Sequence, residues 1–129
     1  MVELTRKRIL VVDDARLIRA YYRAALEPDG YEIDEAMNGL EALEKLLMQP
    51  ADLLIVDINM PKMDGLTFLK RLRRSEPPGS TTPALLTSTE AQVKDKDAAR
   101  EAGANFYLVK PIAPETLRAY AALMSGRVS

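Results

Sequence analysis

Short apolar runs and longer helical stripes alternate along the chain. Ile9-Leu10-Val11-Val12 is an unbroken β-rich run, the pattern of a strand covered on both faces. Leu17, Ile18, Tyr21, Tyr22, Ala25 and Leu26 then recur at helical spacing, which predicts a helix with these residues inward. Pro28-Asp29-Gly30 stops it. Tyr31 to Ala36 alternates apolar and acidic residues and predicts a second strand, weaker and at a sheet edge. Asn38 can cap a helix that turns Leu40, Leu43, Leu46 and Leu47 inward and a Glu41–Lys45 pair outward.

Leu53 to Val56 is the second buried run, bounded by Asp52 and Asp57. A Met60-Pro61-Lys62-Met63-Asp64-Gly65 turn leads into a helix carrying Leu66, Leu69 and Leu72. Its last turn holds Lys70, Arg71, Arg73 and Arg74, the favoured sign at a helix C-terminus and, most simply, a solvated face. Beyond the Pro77-Pro78-Gly79-Ser80 loop, Ala84 to Ser88 predicts strand four. Gln92 to Ala102 forms a helix with a thin stripe of Val93, Ala98, Ala99 and Ala102, closed by Gly103. Phe106 to Val109 is strand five, and Leu117, Tyr120, Ala121 and Met124 mark a last helix after Pro114. Strand–helix alternation of this kind predicts βαβ units, a parallel sheet and helices on both its faces.

Composition narrows the chemistry. The 129 residues carry 18 Lys and Arg against 19 Asp and Glu, and there is no His, Cys or Trp. That removes Ser-His-Asp and Cys-His catalysis, zinc sites of the N/S type, iron–sulfur clusters and disulfides. A near-neutral charge argues against nucleic-acid binding, which needs a basic face. The longest uncharged stretch, Pro77 to Thr89, contains three prolines and falls short of the about 20 apolar residues that span a bilayer. The expectation is one domain over 1–129 in the cytoplasm, with no signal peptide and no membrane insertion.

In parallel α/β sheets, ligands sit beyond the carboxyl ends of the strands. There this sequence puts Asp13-Asp14 after strand one, Asp57 after strand three, Ser88-Thr89 after strand four and Lys110-Pro111 after strand five. Taken singly each has a plainer explanation: Asp13-Asp14 as a helix cap, Asp57 as a turn residue, Lys110 as a loop lysine, Tyr107 as a half-buried strand aromatic. Together they fall on one edge. With strands one and three as neighbours ~4.8 Å apart, Asp14 and Asp57 share the reach of one cation. Crowded carboxylates invite a hard divalent ion such as Mg²⁺. A lysine and a hydroxyl facing it can hold the oxygens of a transferring phosphoryl group, and a carboxylate there can be the nucleophile. The glycines form neither G-x-G-x-x-G nor a P-loop, which disfavours nucleotide and flavin binding.

Three segments in order carry a resemblance: Ile9-Leu10-Val11-Val12-Asp13-Asp14, the run Asp57-Ile58-Asn59-Met60-Pro61-Lys62-Met63-Asp64-Gly65, and the run from Ala102 to Pro111. Over residues 7–125 the chain resembles the receiver domains of two-component response regulators, and most closely the stand-alone CheY-type chemotaxis regulators. The resemblance implies a flavodoxin-like (βα)5 fold with strand order 2-1-3-4-5. It implies Asp57 as phosphoacceptor, Asp14 as direct ligand of Mg²⁺ or Mn²⁺, Asp13 as a ligand through water, and the Asn59 main-chain carbonyl as a further ligand. Counting back from Lys110 with the family's spacing puts the switch hydroxyl at Ser88, with Thr87 as runner-up. Tyr107 matches the aromatic that turns inward on activation, and Lys110 the lysine of the motif.

The sequence also departs from the pattern. Ser88 stands for the commoner Thr, Thr89 for a smaller residue and Ile112 for a frequent Phe, and the loop Glu76 to Pro83 is slightly long. The implied partners are a histidine kinase, a downstream protein target (the flagellar motor switch or another effector) and a phosphatase. The chain ends after the last helix, so no output domain is expected, and the protein is expected not to be a conventional enzyme. Other readings are a sensory or phosphorelay receiver unconnected with chemotaxis, a degenerate receiver that binds without phosphorylation, and an aspartyl-phosphate phosphohydrolase. A haloacid-dehalogenase-type hydrolase wants an acid two residues after its nucleophile, where this sequence has Asn59.

Overall fold

A computed structural model describes residues 6–126. The strands are β1 (Arg8–Val12), β2 (Glu32–Ala36), β3 (Leu53–Asp57), β4 (Ala84–Ser88) and β5 (Phe106–Val109). The helices are α1 (Arg16–Leu26), α2 (Gly39–Met48), α3 (Gly65–Arg73), α4 (Val93–Ala102) and α5 (Pro114–Met124). All pairings are parallel, in the order β2-β1-β3-β4-β5. The order reverses between β1 and β3, so the crevice at their carboxyl ends is where a ligand is expected.

Side chains alternate across the sheet. Leu10, Val12, Leu54, Val56 and Leu86 pack under α2, α3 and α4, while Ile9, Val11, Leu53, Ile55 and Leu85 pack under α1 and α5. Every residue of β1, β3 and β4 is buried. At about 1.5–3 kcal/mol per buried large apolar side chain, these three strands supply much of the drive to fold. The edges differ. β2 is half-polar, with Glu32, Asp34 and Glu35 bonded to Arg8, Lys45, Arg19 and Arg23, an arrangement that blunts an open edge.

Three expectations about inward residues need correction. In α2, Leu40 is exposed and Leu47 is 88% exposed; Gly39 and Ala42 face the core instead. The reason is space: a Cβ on Gly39 would lie 2.8 Å from Met63 Cγ and 2.9 Å from Phe68 Cβ, so only the small face of the helix fits there. In α1, Leu17 is 83% exposed, and the hydroxyl of the exposed Tyr21 donates to the Ile112 carbonyl. In α4, Val93 is 73% exposed, and only Ala99 and Ala102 are fully buried.

Nor is the basic end of α3 wholly solvated. Arg73 donates from Nη1 to the Thr82 carbonyl (2.7 Å) and from Nε to the Gly103 carbonyl (3.0 Å). It ties α3 to the start of β4 and to the left-handed turn that ends α4, where Gly103 has φ +107°.

Candidate functional site

The acidic crevice begins with β1, whose buried run ends at Asp13. Asp13 is itself buried. Its main-chain N–H donates to the Ala36 carbonyl (3.0 Å), and its Oδ1 accepts from Ala15 N–H (2.9 Å). This carboxylate therefore closes the turn before α1 and does not cap the helix, whose N-cap residue Ala15 receives no side-chain cap. Asp14 is exposed at the rim. Asp57, at the end of β3, is buried. Carboxylate oxygens of Asp13, Asp14 and Asp57 all lie within 4.8 Å of one another.

One ammonium faces these three acids. Lys110 Nζ lies 2.8 Å from Asp13 Oδ2 and 3.2 Å from Asp57 Oδ1, and its main-chain N–H donates to the Ser88 carbonyl (2.8 Å). Burial pushes the Asp57 carboxyl above its ordinary pKa, the Asp13 charge adds to this, and Lys110 offsets only part. For Lys110, burial disfavours the charged form, but the bond to Asp13 and the two acid charges outweigh it and raise the pKa. Oxygen donors crowded about an exposed carboxylate suit a hard, partly hydrated cation such as Mg²⁺. Asp14, Asn59, Met60, Pro61 and Asp64 line a shallow, open depression beside the three carboxylates. Asp64 is the N-cap of α3, its Oδ1 accepting from Thr67 N–H (2.7 Å).

Register separates the two candidate hydroxyls. Thr87 pairs with Asp57 and shares its face, and its Oγ1 donates to the Val56 carbonyl (3.5 Å). Ser88, one residue on, is buried on the other face, where its Oγ accepts from Glu90 N–H (3.0 Å). With Asn59, Glu90, Asp95 and Tyr107 it lines a cavity of about 110 Å³. The Tyr107 hydroxyl donates to the Glu90 carbonyl (2.5 Å), and its half-buried ring packs against the α2–α4 core. Thr89 is exposed and Ile112 buried.

Other contributors had no sequence signal that tied them to the site. Tyr22 is buried beneath the site, and burial raises its hydroxyl pKa, with the charge of Lys110 partly opposing. Asp95 Oδ2 is buried in the Ser88 cavity with no hydrogen-bond partner among the described residues. Arg19 Nη1 donates to the Asp13 carbonyl (2.7 Å). Their signal is contact in three dimensions, which periodicity does not encode. Among the described residues no helix is long and apolar enough to cross a membrane.

Comparison with known proteins agrees with this geometry. The family model "Response regulator receiver domain" matches residues 9–122. The response regulator MprA of Mycobacterium ulcerans is 40% identical over 112 residues, which cover 87% of this chain and 47% of that protein. The chain thus spans about half the length of the curated relatives it matches. Among solved structures, the chemotaxis response regulator CheY4 of Vibrio cholerae is 37% identical with a TM-score of 0.87, covering 93% of this chain and 99% of that one. A CheY-like receiver domain protein of Methanospirillum hungatei is 28% identical with a TM-score of 0.86, covering 95% of each.

Proposed function

Because the chain belongs to the response regulator receiver domain family of two-component signalling, we propose that it is a switch thrown by phosphorylation of Asp57. The observation that carries this reading is the cluster of three carboxylates with Lys110 bridging two of them. A histidine kinase or a small acyl phosphate is the donor. An Asp57 carboxylate oxygen attacks the phosphorus, the bond from phosphorus to the donor nitrogen or oxygen breaks, and the leaving group departs with that electron pair. Mg²⁺ held by Asp13, Asp14, Asp57 and the Asn59 carbonyl supplies charge neutralisation for the phosphoryl oxygens. Lys110, already at Asp57, stabilises the charge that develops on them.

The new phosphoryl charge then draws the Ser88 hydroxyl and Lys110 towards it and biases the equilibrium of Tyr107 and of the face from β4 to α5, where a protein target binds. Likeness to a chemotaxis regulator supports a motility target. The cytoplasm, where kinases of this class act, is the proposed location. The residue two positions after Asp57 is Asn59, which cannot act as the general acid or base of a haloacid-dehalogenase-type hydrolase and so favours a switch over a turnover enzyme.

The test is direct. With acetyl phosphate or beryllofluoride and Mg²⁺, the wild type gains one phosphoryl or mimic and Asp57→Asn gains none, read by intact-protein mass for the first and fluorine NMR for the second. Equal labelling of the two proteins overturns the assignment. Steady phosphate release from many organic phosphates points to a hydrolase instead.

A further inference from the structure

Arg19 lies on α1, outside every motif that marks the site, with only 11% of its side chain exposed. Its planar fork is divided. Nη1 donates to the Asp13 carbonyl (2.7 Å) and Nε to Glu35 Oε1 (2.8 Å). Glu35 is held in turn by Arg23, which donates from Nε to Oε2 (2.9 Å) and from Nη1 to Glu27 (3.0 Å). A chain of charge-assisted bonds therefore runs from the end of α1, through the edge strand β2, to one main-chain carbonyl beside the acidic crevice.

That carbonyl belongs to the peptide joining Asp13 to Asp14. Asp13 needs little help: its N–H, Oδ1 and Oδ2 bond to Ala36, Ala15 and Lys110. Asp14 differs. Its carboxylate makes no hydrogen bond or ion pair among the described residues, so its place depends on the peptide plane it hangs from. We infer that Arg19 is a positioning residue for Asp14: by fixing that plane it aims the one unanchored carboxylate at the other two and thereby sets the affinity for the divalent cation. A lysine cannot do this equally, because a single ammonium cannot hold the carbonyl and Glu35 in one fixed fork. Glu35 has a second part, since it offsets a guanidinium charge that would otherwise repel the cation.

The inference rests on the reading that Asp13, Asp14 and Asp57 hold Mg²⁺, and the experiment separates the two. Isothermal titration with MgCl2 is run on the full chain and on Arg19→Met, Arg19→Lys and Glu35→Gln, with circular dichroism to verify folding. Partners that orient metal ligands from outside the coordination shell typically carry about 10–100-fold in affinity. The expected result is a Kd raised about tenfold in Arg19→Met, with smaller rises, on the order of threefold, in Arg19→Lys and Glu35→Gln. The Mg²⁺ concentration giving half-maximal labelling by acetyl phosphate rises in step, while the plateau rate changes far less.

A purely structural arginine gives a different result: a lower Tm with the Mg²⁺ affinity unchanged. Folded Arg19→Met that binds Mg²⁺ like the wild type overturns the inference. If Arg19→Met does not fold, Glu35→Gln decides, and unchanged affinity there overturns it equally. A wild type that binds no Mg²⁺ overturns the underlying reading and this inference with it.

Discussion

At Asp57, burial and the adjacent Asp13 charge raise the carboxyl pKa, and Lys110 compensates in part. A carboxyl whose folded pKa lies above its unfolded value contributes stability in the acid form, and that contribution is lost as pH rises through the folded pKa. Metal-free protein therefore holds Asp57 ionised at a cost at neutral pH. Asp57→Asn, of the same shape and uncharged, should melt higher than wild type at pH 7 in EDTA. The gain should vanish below the ordinary carboxylate range, where both side chains are neutral, and shrink in excess Mg²⁺. Thermal scans at the two pH values check this, and a gain that persists in acid counts against the electrostatic cause. Lys110 has the same sign in a higher pH window. Its raised pKa gives stability present below the ordinary lysine value and lost as pH rises through the folded pKa.

These charged residues were legible in the sequence because strand ends announce themselves: a buried apolar run stops, and the next polar side chain stands at the sheet edge. Arg19, Tyr22 and Arg73 were not. Two of them bond to main-chain carbonyls, Arg19 to Asp13 and Arg73 to Gly103, and any residue type supplies such a carbonyl. Tyr22 read as one more inward residue of α1, which it is, with nothing in the helical spacing to say that the floor of the acidic crevice lies above it.

Among the elements, the turn from β3 into α3 shows what a pattern conveys and what it omits. Asp64-Gly65 reads as a turn and helix start, and Asp64 does cap α3. The need for glycine comes from close approach: a Cβ on Gly65 would sit 2.3 Å from the Asp57 carbonyl oxygen. Main chain cannot rotate away as a side chain can. Gly65→Ala must push α3 off the end of β3, at roughly 1–3 kcal/mol for overpacking, and the displaced strand end carries Asp57. The expected result is a lower urea midpoint together with slower labelling by acetyl phosphate. Normal labelling in a destabilised Gly65→Ala protein would separate the helix seat from the site.

The strand and helix order was fully readable, because buried runs and helical stripes differ in period. The inward faces of α1 and α2 were less so. Leucine recurs around α2 on more than one stripe, and spacing alone gives no weight to the bulk of the partner. Phe68 and Met63 fill the space opposite, so Gly39 and Ala42 turn inward and Leu40 and Leu47 turn out. α4 is the opposite case. Its thin stripe was apparent, and the structure gives it two buried alanines and no large buried side chain, the sparse apolar anchoring of an element at the low end of local stability.

Across the whole molecule, the sheet divides the machinery. Alternation from Ile55 and Leu85 places Asp57 and Thr87 on the side of α1 and α5, whereas Ser88 and Tyr107 belong to the side of α2, α3 and α4. A charge added at Asp57 must therefore be read around the carboxyl end of β4, where Ser88 is the buried hydroxyl next in line and its oxygen already holds the Glu90 N–H. Glu90 in turn accepts from Tyr107 through its carbonyl, so a shift of Ser88 is passed to the aromatic through one residue. The prediction is topological. In wild type, beryllofluoride with Mg²⁺ should move amide NMR signals at 13–14 and 57–59 and also at 88–90, 107 and the start of α4. In Ser88→Ala the mimic should still bind, with affinity within a few-fold of wild type, but the shifts should stop at the α1–α5 side and at Lys110. Shifts that reach Tyr107 and α4 unchanged in Ser88→Ala would mean that the signal crosses the sheet by another path, through Thr87 or the β3–α3 turn.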